Sequence, residues 1–177
     1  MTSGTADPAV REMLAIQYPG CRFYIDRAAV TASLYLERVR PLEAPVGEIR
    51  ERVDHGGRPA ALFNLDDRLC DLFGLPKSDR VAFALVVDTG DWDPLFGKRF
   101  RERVLSANPG LWDRRLVLKI RSALLERMAL SALRPIPKGL RERYYREGIV
   151  ACRFPEAGGA AFLLDIERLI FQPVAGD

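Results

Sequence analysis

Apolar residues in this chain come in short runs separated by glycine and proline, the spacing of strands and turns rather than of long helices. Met13 to Tyr18 and Cys21 to Asp26 flank Pro19-Gly20, and in the second run Cys21, Phe23 and Ile25 alternate with Arg22, Tyr24 and Asp26. That period of two predicts a half-buried hairpin. Leu34 to Val39 predicts a further strand, closed by Arg40-Pro41 because proline has no N–H to give a ladder. From Pro41 to Gly57 the pattern is irregular. Ala60 to Leu65 returns to strand character, and Val81 to Val87 is continuously apolar, as a strand buried on both faces requires. Gly148 to Phe154 and Ala160 to Asp165 predict a second hairpin around Glu156 to Gly159.

Two distant stretches share one punctuation. Ala60-Ala-Leu-Phe63 leads into Asn64-Leu65-Asp66-Asp67-Arg68-Leu69, and Ala160-Ala-Phe-Leu-Leu164 leads into Asp165-Ile166-Glu167-Arg168-Leu169. Each reads as a buried strand feeding a turn and a short helix, so the chain predicts two similar small β units. Asn64 or Asp66 caps the first helix, Leu65, Leu69, Leu72 and Phe73 share its inner face, and Gly74 with Pro76 stops it. The second helix, Ile166 to Phe171, turns Ile166, Leu169 and Ile170 inward. Arg114 to Leu130 fits both periods: Leu116, Leu118 and Ile120 alternate, while Leu116, Ile120, Leu124 and Met128 also share a helical face. Phe96, Phe100 and Val104 have helical spacing inside a segment inserted at 91–113. Lys138 to Arg146 reads as a solvated connection between strands.

A hydrophobic content of 48% with 29% charged residues describes a globular chain, and the length suits one domain or two small lobes sharing a core. The net charge of +3 comes from interspersed arginines and acids, a mixed surface rather than a nucleic-acid footprint. No run approaches the roughly 20 apolar residues of a membrane span. Residues 1–12 and 172–177 read as tails, without the basic start and apolar core of a signal peptide. Cys21, Cys70 and Cys152 are odd in number and widely spaced, which suits a reducing cytoplasm and neither a disulfide framework nor a zinc site.

Catalytic chemistry finds little purchase. His55 is the one histidine, and Asp54-His55-Gly56-Gly57 brings no nucleophile or oxyanion donors with it. Gly56-Gly57 and Gly158-Gly159 lie outside any phosphate-loop spacing and read as tight turns. Asp66-Asp67 and Asp91/Asp93 read as caps rather than cation ligands. No catalytic residue, cofactor or metal is expected. The sharpest remaining feature is a basic cluster, Lys98 to Arg103, between Trp92 and Trp112. Either the tryptophans pin the segment to the body, or Trp92, Arg99 and Arg103 meet a partner, since tryptophan and arginine anchor interfaces. A ligand- or nucleic-acid-binding role for 91–113 is the alternative reading.

Two collinear sets of residues resemble the CheW family of bacterial chemotaxis coupling proteins. One is Tyr35 to Pro45, then Gly57-Arg-Pro-Ala-Ala-Leu-Phe-Asn-Leu65, then Leu72-Phe-Gly-Leu-Pro76. The other is Leu133-Arg-Pro-Ile-Pro137, Gly148 to Ala151, and Phe162-Leu-Leu-Asp-Ile-Glu-Arg-Leu169. The resemblance covers about residues 13–171 and implies a single, mainly β domain of two SH3-like five-stranded barrel lobes sharing a hydrophobic core, with a few short helices. It favours strands for Arg114 to Leu130. It also implies a non-catalytic adaptor linking chemoreceptor tips to the regulatory domain of a CheA-type histidine kinase, at the cytoplasmic side of a receptor array. By position, its docking groove is carried by Ile49, Val53, Gly57, Arg58 and Leu62. The chain departs from the family where an Asn-Leu-Arg-Gly turn is replaced by Asp54-His55-Gly56-Gly57, where Pro59 follows, and where 91–113 is added. Those departures bear most on receptor binding.

Overall fold

The computed structural model describes residues 10–153 and 159–171; the rest of the tails and the 154–158 part of the second predicted hairpin lie outside the described residues. The chain runs β1 (Val10–Tyr18), β2 (Cys21–Asp26), β3 (Val30–Tyr35), β4 (Val39–Val46), β5 (Ile49–His55), β6 (Arg58–Phe63), α1 (Leu65–Phe73) and β7 (Phe83–Asp88). There follow α2 (Thr89–Trp92), α3 (Pro94–Phe100), β8 (Arg115–Lys119), β9 (Leu124–Ala129), α4 (Lys138–Arg146), β10 (Ile149–Arg153), β11 (Ala160–Leu164) and α5 (Ile166–Phe171).

These strands form two sheets. The first has the order β10-β11-β2-β1-β9 and the second β3-β7-β8-β6-β5-β4. Pairing is antiparallel except for β11 on β2 and β6 on β8. The second sheet is rolled. Its two outer strands, β3 and β4, are joined only by residues 36–38, so Tyr35 and Val39 stand at most about 15 Å apart. A flat sheet of six strands would hold its edges about 24 Å apart. In the first sheet the chain leaving β9 bridges back to β10, with the amides of Arg134 and Cys152 donating to each other's carbonyls at 2.7 and 2.9 Å. The expected pair of lobes is therefore present as two rolled sheets of five and six strands, neither sealed by a continuous ladder among the described residues.

Each roll encloses a small apolar cluster drawn from its own sheet. Met13, Ala15, Tyr24, Met128 and Ala161 fill one; Val53, Ala60, Leu62, Ala84, Val86 and Val117 fill the other. The opposite faces meet in one shared core containing Leu14, Ile16, Phe23 and Ile25 from the first sheet and Phe63, Leu85, Val87, Leu116 and Leu118 from the second. This explains why β7 reads as continuously apolar: Ala84 and Val86 face inward, Leu85 and Val87 face the seam.

Several expectations are corrected. The region 41–57, irregular by pattern, is the hairpin β4–β5; β4 is an outer strand, where proline is tolerated, and its register on β5 is interrupted between Pro41 and Val46. The predicted strand at 34–39 is instead the junction of β3 and β4. Arg114 to Leu130, which fitted both periods, is no correction: it resolves into the strands β8 and β9 that the resemblance favoured. Lys138 to Arg146 is helix α4, not a mere solvated connection, and Tyr144 lies 6.4 Å from the Phe73 ring and 6.0 Å from Phe162.

The two punctuation marks prove to be reciprocal braces. α1 leaves the second sheet and packs on the first, with Phe73 4.8 Å from Phe23. α5 leaves the first sheet and packs on the second: the Ile170 carbonyl accepts from Glu48, and Phe171 lies 6.2 Å from Phe96. Gly47 makes that approach possible, since a Cβ there would sit 2.3 Å from the Ile170 oxygen.

Candidate functional site

The hairpin β5–β6 turns through Gly56 and Gly57, both with positive φ (59° and 77°), as a two-residue turn of this hand requires. That turn sets His55 opposite Arg58. Both side chains converge on Trp112. The His55 ring stacks on the indole at 5.6 Å and 24°, and the Arg58 guanidinium lies 5.6 Å from its centre. Arg115 approaches from β8 at 5.5 Å. The Trp112 amide donates to the Pro59 carbonyl at 2.7 Å, so the proline that cannot donate still anchors the loop as an acceptor. The result is a tryptophan, half-buried at the mouth of the second roll and ringed by three basic side chains.

Behind it lies an ion-pair relay. The Asp88 carboxylate accepts from the amides of Gly90 and Asp91 and from Arg114 Nε and Nη2, and Arg115 is 3.3 Å away. Burial alone would raise the Asp88 pKa, but the Asp91 amide and Arg114 hold it below the ordinary carboxylate value. This relay fixes β8 against α2 and so places Trp112.

The other predicted contacts lie elsewhere. Ile49 is 0%, Leu62 1% and Val53 3% exposed; they shape the β5–β6 hairpin from within and offer no outer surface. Trp92, Arg99 and Arg103 face α5 rather than the hairpin. Trp92 packs edge-on against Phe96 and lines a cleft of about 220 Å³ with Val150, Leu164 and Asp165. Arg99 pairs with Glu167, and the Arg103 guanidinium lies 4.7 Å from the Phe171 ring. Of the eight residues, only Gly57 and Arg58 are brought together in the open.

The segment 91–113 is part of the body. Phe96, Phe100 and Val104 are at most 2% exposed in the shared core. Asn108 imitates a strand neighbour for β4: its Nδ2 donates to the Ala44 carbonyl at 2.8 Å and its Oδ1 accepts from the Ala44 amide at 3.2 Å.

A buried polar group escaped the sequence reading. Asn64 caps α1, its Oδ1 accepting from the Asp67 amide. Asp66 instead points inward at 0% exposure and accepts from the Tyr18 hydroxyl at 2.5 Å and Arg121 Nε at 2.7 Å. Arg121 Nη2 continues to the Pro76 carbonyl at 2.7 Å. Burial and the Asp66 carboxylate push the Tyr18 hydroxyl pKa up, and the bond to Asp66 raises that of Arg121. The signal was present: Asp66 sits one turn before Cys70, on the same helical face as Leu69. Burial also pushes up the thiols of Cys21, Cys70 and Cys152, which keeps them un-ionised at neutral pH.

Among the described residues no group of three or more His, Cys, Asp or Glu is placed to hold a metal ion, and no helix is long and apolar enough to cross a membrane. No protein-family model matches the chain, and no curated protein matches its sequence. Among solved structures, the crystal structure of the scaffolding protein TtCheW from Thermoanaerobacter tengcongensis superposes with a TM-score of 0.60 at 9% identity, over 100% of this chain and 97% of that one. The chain therefore has the fold of a CheW scaffolding protein.

Proposed function

We propose that this protein is a non-catalytic adaptor of a bacterial chemosensory pathway, coupling chemoreceptors to a CheA-type histidine kinase on the cytoplasmic side of the membrane. The observation that carries the reading is the full-length likeness of fold to a protein described as a scaffold. Two physical features support it. The reciprocal helices make the two rolls one braced body, and a scaffold must hold its partners in fixed relation. Exposed binding features also stand on different sheets. The second sheet offers the Gly57–Arg58 hairpin end with Trp112. The first offers the outer strand β9, where Leu124 and Leu125 are 53% and 57% exposed beside a free edge. A free edge gives main-chain partners and its flanking side chains give selectivity.

The alternative, a nucleic-acid or ligand site on 91–113, has less support, because Lys98, Arg99 and Arg101 are engaged by Glu102, Glu167 and Asp113, and Arg103 by Phe171. The decisive experiment measures binding of the purified protein to the regulatory domain of the kinase and to a receptor tip fragment from the same cell. Arg58→Glu and Leu125→Asp serve as the two surface variants. Micromolar or tighter binding, with each variant weakening one partner, supports the adaptor. A folded protein that binds neither partner refutes it. Strong weakening by salt with an oligonucleotide in place of either partner would favour the alternative.

A further inference from the structure

Several arginines on the surface of this protein are paired: Arg11 with Asp26, Arg22 with Glu126, Arg101 with Asp113, Arg143 with Glu147. In the β4–β5 hairpin Arg40 stands directly opposite Arg52. Directly opposite residues share a face, with Cβ atoms about 5 Å apart, and like charges there oppose pairing. Alternation along β5 adds Arg50 and Asp54 to that face. Arg50 reaches only Glu48, at 4.0 Å. Among the described residues neither Arg40 nor Arg52 has an ion-pair or hydrogen-bond partner for its side chain. Beside this rung lies a cleft of about 200 Å³ lined by Leu42, Glu43, Arg52 and residues 108–111, including Pro109 and Leu111.

We infer that the Arg40–Arg52 rung and its cleft bind an acidic segment of a partner protein, one carboxylate held between the two guanidinium groups and a neighbouring apolar side chain seated in the cleft. A shared carboxylate converts the repulsion across the rung into two charge-assisted hydrogen-bonded contacts. Pro41 and Pro45 withhold two main-chain donors from β4, so the segment docks through side chains over the face, not as an added strand. Nucleic acid fits less well, because Glu43 in the cleft lining and Asp54 on the same face of β5 interrupt the positive charge of the rung. The site adjoins the Trp112 hairpin end but uses none of the His55, Arg58 and Trp112 side chains, and it holds whichever pathway the protein serves.

The test titrates the isotopically labelled full chain with a short peptide of Asp and Glu containing two leucines, followed by amide NMR. The amides of Arg40, Arg52 and Leu111 should shift and saturate. Arg40→Ser with Arg52→Ser should weaken binding at least about tenfold. Arg80→Ser with Lys138→Ser, which removes the same charge elsewhere, should change it less than about twofold. Arg40→Glu should abolish peptide binding while raising the urea midpoint, opposite movements that a misfolded variant would not show. The inference is overturned by any of four results: unsaturable or absent shifts, equal loss in the charge-matched control, tighter binding of a single-stranded oligonucleotide than of the peptide, or a lowered midpoint in Arg40→Glu.

Discussion

Replacing Phe100 by alanine tests whether the 91–113 segment is a structural part of this protein or an appendage. Phe100 is 0% exposed, lies in the core shared by the two sheets, and meets Phe96 edge-on with ring centres 6.3 Å apart. Truncating such a ring loses its transfer free energy and leaves a cavity, together about 3–5 kcal/mol. A domain's whole stability is about 5–15 kcal/mol. With a urea dependence of about 2 kcal/mol per molar for a chain of this size, the midpoint should fall by about 1.5–2.5 M. Leu95→Ala, on the same helix but 64% exposed, should cost less than about 0.5 kcal/mol. The assay is urea unfolding followed by far-ultraviolet circular dichroism and tryptophan fluorescence, with Trp92 and Trp112 reporting from the segment. Both signals should move together with an unchanged slope, since the same surface is exposed. The reasoning fails if Phe100→Ala shifts the midpoint no more than Leu95→Ala, or if fluorescence melts at lower urea than the sheets.

Gly47→Ala should destabilise by about 2–5 kcal/mol, because its φ of 58° is costly for alanine and the new Cβ meets the Ile170 carbonyl oxygen; thermal unfolding measures it, and a loss below about 1 kcal/mol would show that α5 does not rest on that turn. Asn108→Ala should cost about 1–3 kcal/mol by stranding the Ala44 amide and carbonyl, and hydrogen exchange at Ala44 should accelerate. Asp88 has its pKa depressed in the fold, so its contribution is complete above the ordinary carboxylate value of about 3.9 and is lost as pH falls through the lower folded value. Urea midpoints between about pH 6 and pH 2.5 should therefore decline less steeply in Asp88→Asn than in the parent; parallel curves would contradict the relay.

What could be read from residue order alone was whatever neighbours in sequence decide. Pro19-Gly20 turned the first hairpin, Leu65 and Leu69 marked the inner face of α1, and Ile166, Leu169 and Ile170 that of α5, because turns and short amphipathic helices depend on residues within one or two turns of one another. The paired strand-to-helix marks were legible too, as was the mainly β character. Their purpose was not: only the packed molecule shows each helix crossing to brace the opposite sheet.

The candidate site divides the same way. Gly57 and Arg58 were found by position and Trp112 stood out beside the basic cluster, but its stacking on His55, more than fifty residues away, has no local signature. Arg99 and Arg103 looked like free basic groups until α5 supplied Glu167 and Phe171. Arg40 only closed a predicted strand and Arg52 lay in the irregular stretch after it, and only the register of β4 on β5 sets them face to face. Asp66 read as a cap until Tyr18 and Arg121 closed over it. The reason is common to all four. Sequence determines which groups are apolar, charged or turn-forming, whereas pairing register and sheet curvature, set by contacts distant along the chain, decide which charges find partners and which remain open.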